Sequence, residues 1–316
     1  MKIIVTGGAG FIGSHIVDAY IKAGHRVAVI DNLSTGFRKN LNPKTKFHKA
    51  DINNLKEIDR IFRLEKPTIV NHHAALASVV ESVKNPVSTF QTNVIGTINL
   101  LISFGKHGPA SAKASAGKRG NKGKFIFAST GGAIYGNPKK IPVSENALLL
   151  PLSPYGFSKL LGEETIKFHA HEFGFDYLIF RYPNVYGPRQ NPKGEAGVVA
   201  IFGGLMKSGK RPTIFGDGTK ARDYVYVGDI AEANVSALKK GKNEIVNLGW
   251  GKPVSDKDIF DAVAGELGFD SEPIYAPYRK GEVYKTALLA DKAKKIIAWR
   301  PTTELKEGVK NTLKFI

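Results

Sequence analysis

Apolar runs recur along the first part of the chain, at Ile3–Val5, in Arg26–Ile30, at Thr68–Val70 and in Lys124–Ser129, with a short strand also expected at Phe47–Ala50. The apolar runs are rich in β-branched and aromatic residues and do not alternate with polar ones, as strands buried on both faces require. Stretches with helical spacing lie between them: one after Gly13, one over Asn53–Leu64, and one from Asn85-Pro86 to about Lys106 with Val94, Ile98, Leu101 and Ile102 inward. A further helix starts at Ser153-Pro154. Strand and helix in alternation predict an α/β fold, a doubly wound parallel sheet followed by a smaller α/β region. The expected division is 1–181 for the sheet domain and 182–316 mainly for the second, with 224–248 returning to the first.

The first run ends in Gly7, Gly10 and Gly13, directly before a helical stretch. Glycines there permit a tight turn and close backbone approach, and the helix that follows offers free N–H groups to an anion such as a pyrophosphate. The second run ends at Asp31, about 20 residues beyond the glycines, where a carboxylate accepts from adenosine ribose hydroxyls. Its charge repels a 2′-phosphate, which favours NAD over NADP despite nearby Arg38 and Lys39. Asp51 is placed to accept from the adenine amino group, to cap the helix over Asn53–Leu64, or to do both. The adjacent His72 and His73 point to opposite faces of a strand, so a metal site is not expected.

Composition narrows the partners. A formal charge of +18 favours anionic ligands without naming one. The cations are spread along the chain without a nucleic-acid-binding motif, which argues against nucleic acid as a partner. There are no cysteines, which excludes disulfides and thiolate chemistry. No apolar run reaches membrane-spanning length and no leader precedes the first strand, so a cytoplasmic protein is expected. The stretch 108–123, built of Ala, Ser, Gly, Lys and Arg, reads as an exposed loop.

The candidate chemistry lies at Tyr155 and Lys159, four apart and therefore one helical turn from each other. An ammonium beside a phenol is expected to lower its pKa toward the range useful for proton transfer. Thr130, with Ser129 in reserve, arrives at the end of the strand that begins at Lys124 and can share the proton.

Read together, TGGAGFIGSH (6–15), DNLSTG (31–36), HHAA (72–75), TNVIGT (92–97), STGGAIYG (129–136) and SPYGFSK (153–159) resemble the extended short-chain dehydrogenases/reductases. With RYPNVYGPRQ (181–190), IFGDGTKARDYVYVGDIA (214–231) and RKGEV (279–283), the resemblance is strongest to the NAD-dependent UDP-glucose 4-epimerases. It implies a Rossmann-type fold and a homodimer paired through helices like 86–106 and 154–173. It also implies reversible C4 epimerisation of a UDP-hexose through a 4-keto sugar. The cofactor residues so implied are Gly7, Gly10, Phe11, Ile12, Gly13, Asp31, Asn32, Asp51, Ile52, Ala74, Ala75, Asn93, Tyr155 and Lys159. On the UDP-sugar side they are Asn184, Val198, Val199, Phe215, Arg222, Arg279 and Glu282. Thr286 falls where similar epimerases limit the 2-substituent, and its small side chain would admit UDP-GlcNAc. Sibling dehydratases carry Asp-Glu after the Thr, and decarboxylases usually a Glu, where this chain has Gly131-Gly132. Those siblings are the alternatives, together with a non-catalytic nucleotide or nucleic-acid binder. His73 and Pro183 depart from the usual HLAA and RYFN.

Overall fold

The computed structural model describes residues 1–109, 122–192, 197–279 and 282–316. Most of the basic stretch 108–123 lies outside the described residues, as do Lys280 and Gly281. Six strands form in order: β1 (Lys2–Thr6), β2 (Arg26–Asp31), β3 (Lys46–Lys49), β4 (Ile69–His72), β5 (Lys124–Thr130) and β6 (Asp176–Tyr182). With Glu244–Asn247 they make a seven-stranded sheet, ordered Glu244–Asn247, β6, β5, β4, β1, β2, β3. Every pairing is parallel. The chain reverses direction across the sheet between β1 and β4, which opens a crevice at their C-terminal ends.

Alternate residues of each strand feed different cores. Ile3 and Val5 of β1 join Ile16, Val17, Ile230 and Trp299 on one face, while Ile4 joins Phe62, Leu101, Phe127 and Ile166 on the other. A third core, with Phe202, Phe260, Val263 and Leu313, unites the helices Val198–Lys207, Asp256–Leu267 and Leu305–Leu313. The helix Val227–Ala237 packs on Phe11–Lys22. Ile297 and Trp299, near the end of the chain, also lie in the first core. Among the described residues no helix is long and apolar enough to cross a membrane.

One local expectation holds with a refinement and one is corrected. The helix expected from Asn85 runs to His107 and carries a π-helical turn, Gln91–Ile95, between Pro86–Phe90 and Gly96–His107. Such a turn re-aims side chains, here toward bonds that Asn93 makes across the fold. The helix Leu55–Glu65 is capped by Asn54, whose side chain accepts from the Glu57 N–H, and not by Asp51. Asp51 instead accepts from the Asn53 N–H at 2.8 Å and from the Asn32 side-chain amide at 3.1 Å.

Candidate active site

The glycine turn is dictated by its surroundings. Gly7 has φ +69°, and a Cβ on it would sit 2.7 Å from the Ala74 backbone nitrogen. One on Gly13 would collide with the Gly7 carbonyl oxygen. The turn therefore lies on the backbone that leaves β4, and Gly10 opens the helix Phe11–Lys22 with no side-chain cap. The first-turn N–H groups of Phe11, Ile12 and Gly13, which lack intrahelical acceptors, belong to residues of the cleft wall. Asp31 ends β2 beside this turn and accepts from the Ala9 N–H at 3.0 Å and the Leu33 N–H at 2.8 Å. Each carboxylate oxygen keeps a second lone pair for a ribose hydroxyl. A cradle that side chains would fill, an open helix N-terminus and a fixed carboxylate together fit NAD.

The helix Pro154–Phe173 begins at Ser153, whose hydroxyl accepts from the Gly156 N–H at 3.2 Å. Its first turns carry Tyr155 and Lys159 into the cleft with Thr130. Thr130 stands close enough to the Tyr155 phenol to draw its pKa down. Lys159 donates to the Ala128 carbonyl at 2.8 Å and lies 4.7 Å from the Phe127 ring centre. Here an expectation is corrected. Burial raises the phenol above its ordinary range, and the opposing pull comes from Thr130. Burial also brings the Lys159 amine down to about 7, with Glu163 pulling back up. The environment expected to sharpen the base desolvates both members of the pair.

Ser129 serves a different purpose from Thr130. Its hydroxyl donates to Glu163 Oε1 at 2.5 Å. Arg181 binds the same carboxylate twice, at 2.9 Å through Nε and 2.7 Å through Nη2. Arg181 Nη1 reaches the Tyr135 hydroxyl at 2.8 Å, which in turn donates to Asn247 Oδ1 at 2.8 Å. Asn93 is likewise fully engaged: it accepts from the Leu76 N–H at 2.8 Å and donates to the Leu76 carbonyl at 3.0 Å and Ser158 at 2.9 Å. It holds the segment after Ala75 against the helix.

A cleft of about 920 Å³ runs from the glycines past Tyr155 to the second region. Asn184, Val198, Val199, Phe215, Arg222, Arg279 and Glu282 line its far part. Asn184 is held by its backbone, which donates to the Asp223 carbonyl at 2.9 Å and pairs in register with Tyr224. Arg222 donates to the carbonyls of Ala221 (3.0 Å), Tyr284 (2.9 Å) and Val283. The Arg279 guanidinium lies 3.5 Å above the Phe215 ring centre. Glu282 accepts from Lys220 at 2.6 Å, and Asp256 stands 3.3 Å from the same amine.

With this geometry in view, comparison with known proteins is decisive. The sequence model of the NAD dependent epimerase/dehydratase family matches residues 3–249. The chain belongs to the NAD-dependent epimerase/dehydratase family. It is 37% identical to a UDP-glucose 4-epimerase of Mycolicibacterium smegmatis, covering 100% of this chain and 98% of that one. The crystal structure of the Thermotoga maritima UDP-glucose 4-epimerase with UDP-glucose superposes with a TM-score of 0.94 at 46% identity. That of the Thermus thermophilus UDP-glucose 4-epimerase with NAD does so at 0.91 and 40%. Each comparison covers 100% of this chain and 98% of the other. The fold is Rossmann-type, the cofactor is NAD, and the epimerase/dehydratase architecture accounts for the crevice position.

Within this family member, Ala75 lines the cleft, while Asp31, Asn32 and Asp51 lie at the C-terminal ends of β2 and β3, where Asn32 donates to Asp51. Ala74 backs Gly7, and Asn93 is taken up by Leu76 and Ser158. Ile52 is packed in the second core. Thr286 is 2% exposed, does not line the cleft, and its hydroxyl has no partner. Sequence reasoning missed Lys220 and Asp256, which do line it. Lys220 stood unassigned in the KARD motif, and Asp256 carried no signal beyond opening a helix. His72 is bracketed by Thr6 (2.7 Å) and Thr97 (2.9 Å), and burial holds it neutral.

Proposed function

We propose that this protein interconverts UDP-glucose and UDP-galactose by epimerisation at C4, acting in the cytoplasm, where UDP-sugars and NAD are available. The observation that carries the reading is the cleft itself, which brings Tyr155, Lys159 and Thr130 together between the glycine cradle and an end bearing Arg222 and Arg279. Tyr155, in its phenolate form, would take the proton of the sugar 4-hydroxyl, with Thr130 beside it in the cleft to share that proton. NAD, when bound, supplies reversible hydride acceptance at the same carbon. Arg222 and Arg279 suit the diphosphate, since a guanidinium fork matches phosphate oxygens. Such a tether would keep the 4-keto sugar in the cleft while it turns over.

Gly131-Gly132 weighs against dehydration and decarboxylation. A Cβ at Gly131 would run into Leu288, and one at Gly132 would come within 3.2 Å of Asn184 Oδ1. An added acid at either position would have to displace one of these neighbours. The test is to incubate the purified protein with UDP-galactose and follow UDP-glucose. UDP-GlcNAc and UDP-glucuronate run in parallel define the sugar range. Appearance of a 6-deoxy-4-keto sugar or loss of CO₂ instead of epimer would overturn the reading.

Pairing of two copies through the helices of 86–107 and 154–173 is supported by apolar side chains left uncovered there. Val87 is 77% and Phe168 66% exposed, with Ile95 and Phe157 also open. Light scattering on the wild type and on a Val87→Glu, Phe157→Glu variant tests this: a dimer that becomes a monomer is expected.

A further inference from the structure

His73 follows β4, and its ring lines the cleft with Gly7, Tyr155 and Lys159. The ring stacks on Tyr182, 5.7 Å between centres and 28° between planes, and Nε2 lies 3.0 Å from the Tyr182 hydroxyl. What stands behind Tyr182 fixes the tautomer. Asn234 Nδ2 donates to the Ile230 carbonyl at 2.8 Å, and because a carbonyl can only accept, the amide orientation is set. The same nitrogen donates to the Tyr182 oxygen at 2.8 Å, while Asn234 Oδ1 accepts from Asn71 at 2.8 Å.

Tyr182 stays protonated because burial pushes its phenol well up, and its proton needs an acceptor. His73 Nε2 is the acceptor in reach, which puts the imidazole proton on Nδ1. The opposite tautomer would leave both the phenol proton and the Nδ1 lone pair without partners. Nδ1 is closed to solvent and bonded to no protein atom. A buried donor left unmade costs the full desolvation of the group, so a partner is called for.

We propose that His73 anchors the cofactor: its neutral imidazole, braced by Tyr182 and Asn234, gives its Nδ1–H to an acceptor oxygen of bound NAD. A dinucleotide offers such oxygens on its phosphates, riboses and carboxamide. The ring remains neutral because burial, seconded by the Lys159 charge, brings it to about 3. Its contribution is therefore a hydrogen bond and not a charge. The inference rests on NAD binding in this cleft, and wild-type protein that takes up no NAD would defeat that premise separately.

Three variants separate anchoring from bracing. The amide nitrogen of His73→Asn lies near the place of Nδ1, that of His73→Gln near the place of Nε2, and His73→Leu has neither. NAD affinity is read by titrating NAD-stripped protein, and NAD content is read after gel filtration. Leu and Gln are expected to weaken binding about five- to tenfold, and Asn to stay within about twofold of wild type. Wild-type affinity in the Leu or Gln variant, or equal loss in all three, would overturn the proposal. If the variants do not fold, multiple-bond ¹⁵N–¹H NMR on the wild type decides. A protonated Nδ1 whose proton shifts on NAD addition supports it, and a protonated Nε2 or an unmoved proton refutes it.

Discussion

Ser129 donates to the Glu163 carboxylate across 2.5 Å, and that bond gives the two neighbouring hydroxyls of β5 different work. Ser129 ties the strand to the helix Pro154–Phe173, and Thr130 lines the cleft with Tyr155. Thr130→Val is therefore expected to lower kcat about 10- to 100-fold with little change in KM. Ser129→Ala leaves Glu163 both Arg181 bonds, so kcat should hold within about threefold while stability falls by about 1 kcal/mol. Steady-state kinetics and denaturant midpoints check both, and an equal kcat loss in the two variants would reverse the assignment.

Tyr155→Phe removes the proton acceptor and keeps the ring. The expected kcat loss is about 10²- to 10⁴-fold, the usual range for a positioned acid–base group. Bound NAD and the unfolding temperature should stay close to wild type, because the ring packing is retained. A variant within tenfold of wild type would mean that another group moves the proton.

The contrast between what the chain announces and what it conceals is itself physical. Gly7 and Gly13 are legible because the backbone contacts that demand them come from a strand–turn–helix unit of fixed geometry. Tyr155 and Lys159 are legible because helical spacing alone puts them on one face. Glu163 and Arg181 look like surface charges locally, yet both are almost fully buried and paired across a helix and a strand. No local pattern foretells that partnership. Thr286 is reached only by counting from Arg279, and counting along an irregular segment does not say which way a side chain faces. Lys159 misleads for a related reason: desolvation is set by the whole fold, whereas the sequence displays only its proximity to Tyr155.

Two glycines give opposite forecasts. At Gly13 the obstacle is the Gly7 carbonyl, a backbone atom that no side-chain rotation can clear. Gly13→Ala should disrupt the turn and cost most of the NAD affinity. Gly265 lies inside the helix Asp256–Leu267, and a Cβ there meets nothing within 4 Å. Gly265→Ala should stabilise the protein by about 0.5–1 kcal/mol, the ordinary helix preference for alanine. Thermal unfolding with and without NAD compares them, and a stable, NAD-replete Gly13→Ala protein would contradict the close packing at the turn.

The lowered pKa of Lys159 carries two opposed consequences for pH. In the ligand-free fold the amine sits at about 7, against an ordinary value of 10.5, because burial disfavours the charge. The unfolded chain therefore holds more protons between those values, and this residue makes the fold more stable as pH rises through that window. NAD binding runs the other way. A ribose hydroxyl of the cofactor that accepts from the amine favours the ammonium, so binding takes up a proton above pH 7 and affinity declines as pH rises, by at most tenfold per unit. Lys124, brought to about 8 by burial, shares the first trend but lies at the Ala237 carbonyl, outside the cleft lining. Lys159→Met should consequently flatten the NAD trend and only part of the stability trend. Calorimetry in two buffers of different ionisation heat measures the proton uptake directly, and zero uptake in the wild type at pH 8 would exclude a titrating Lys159.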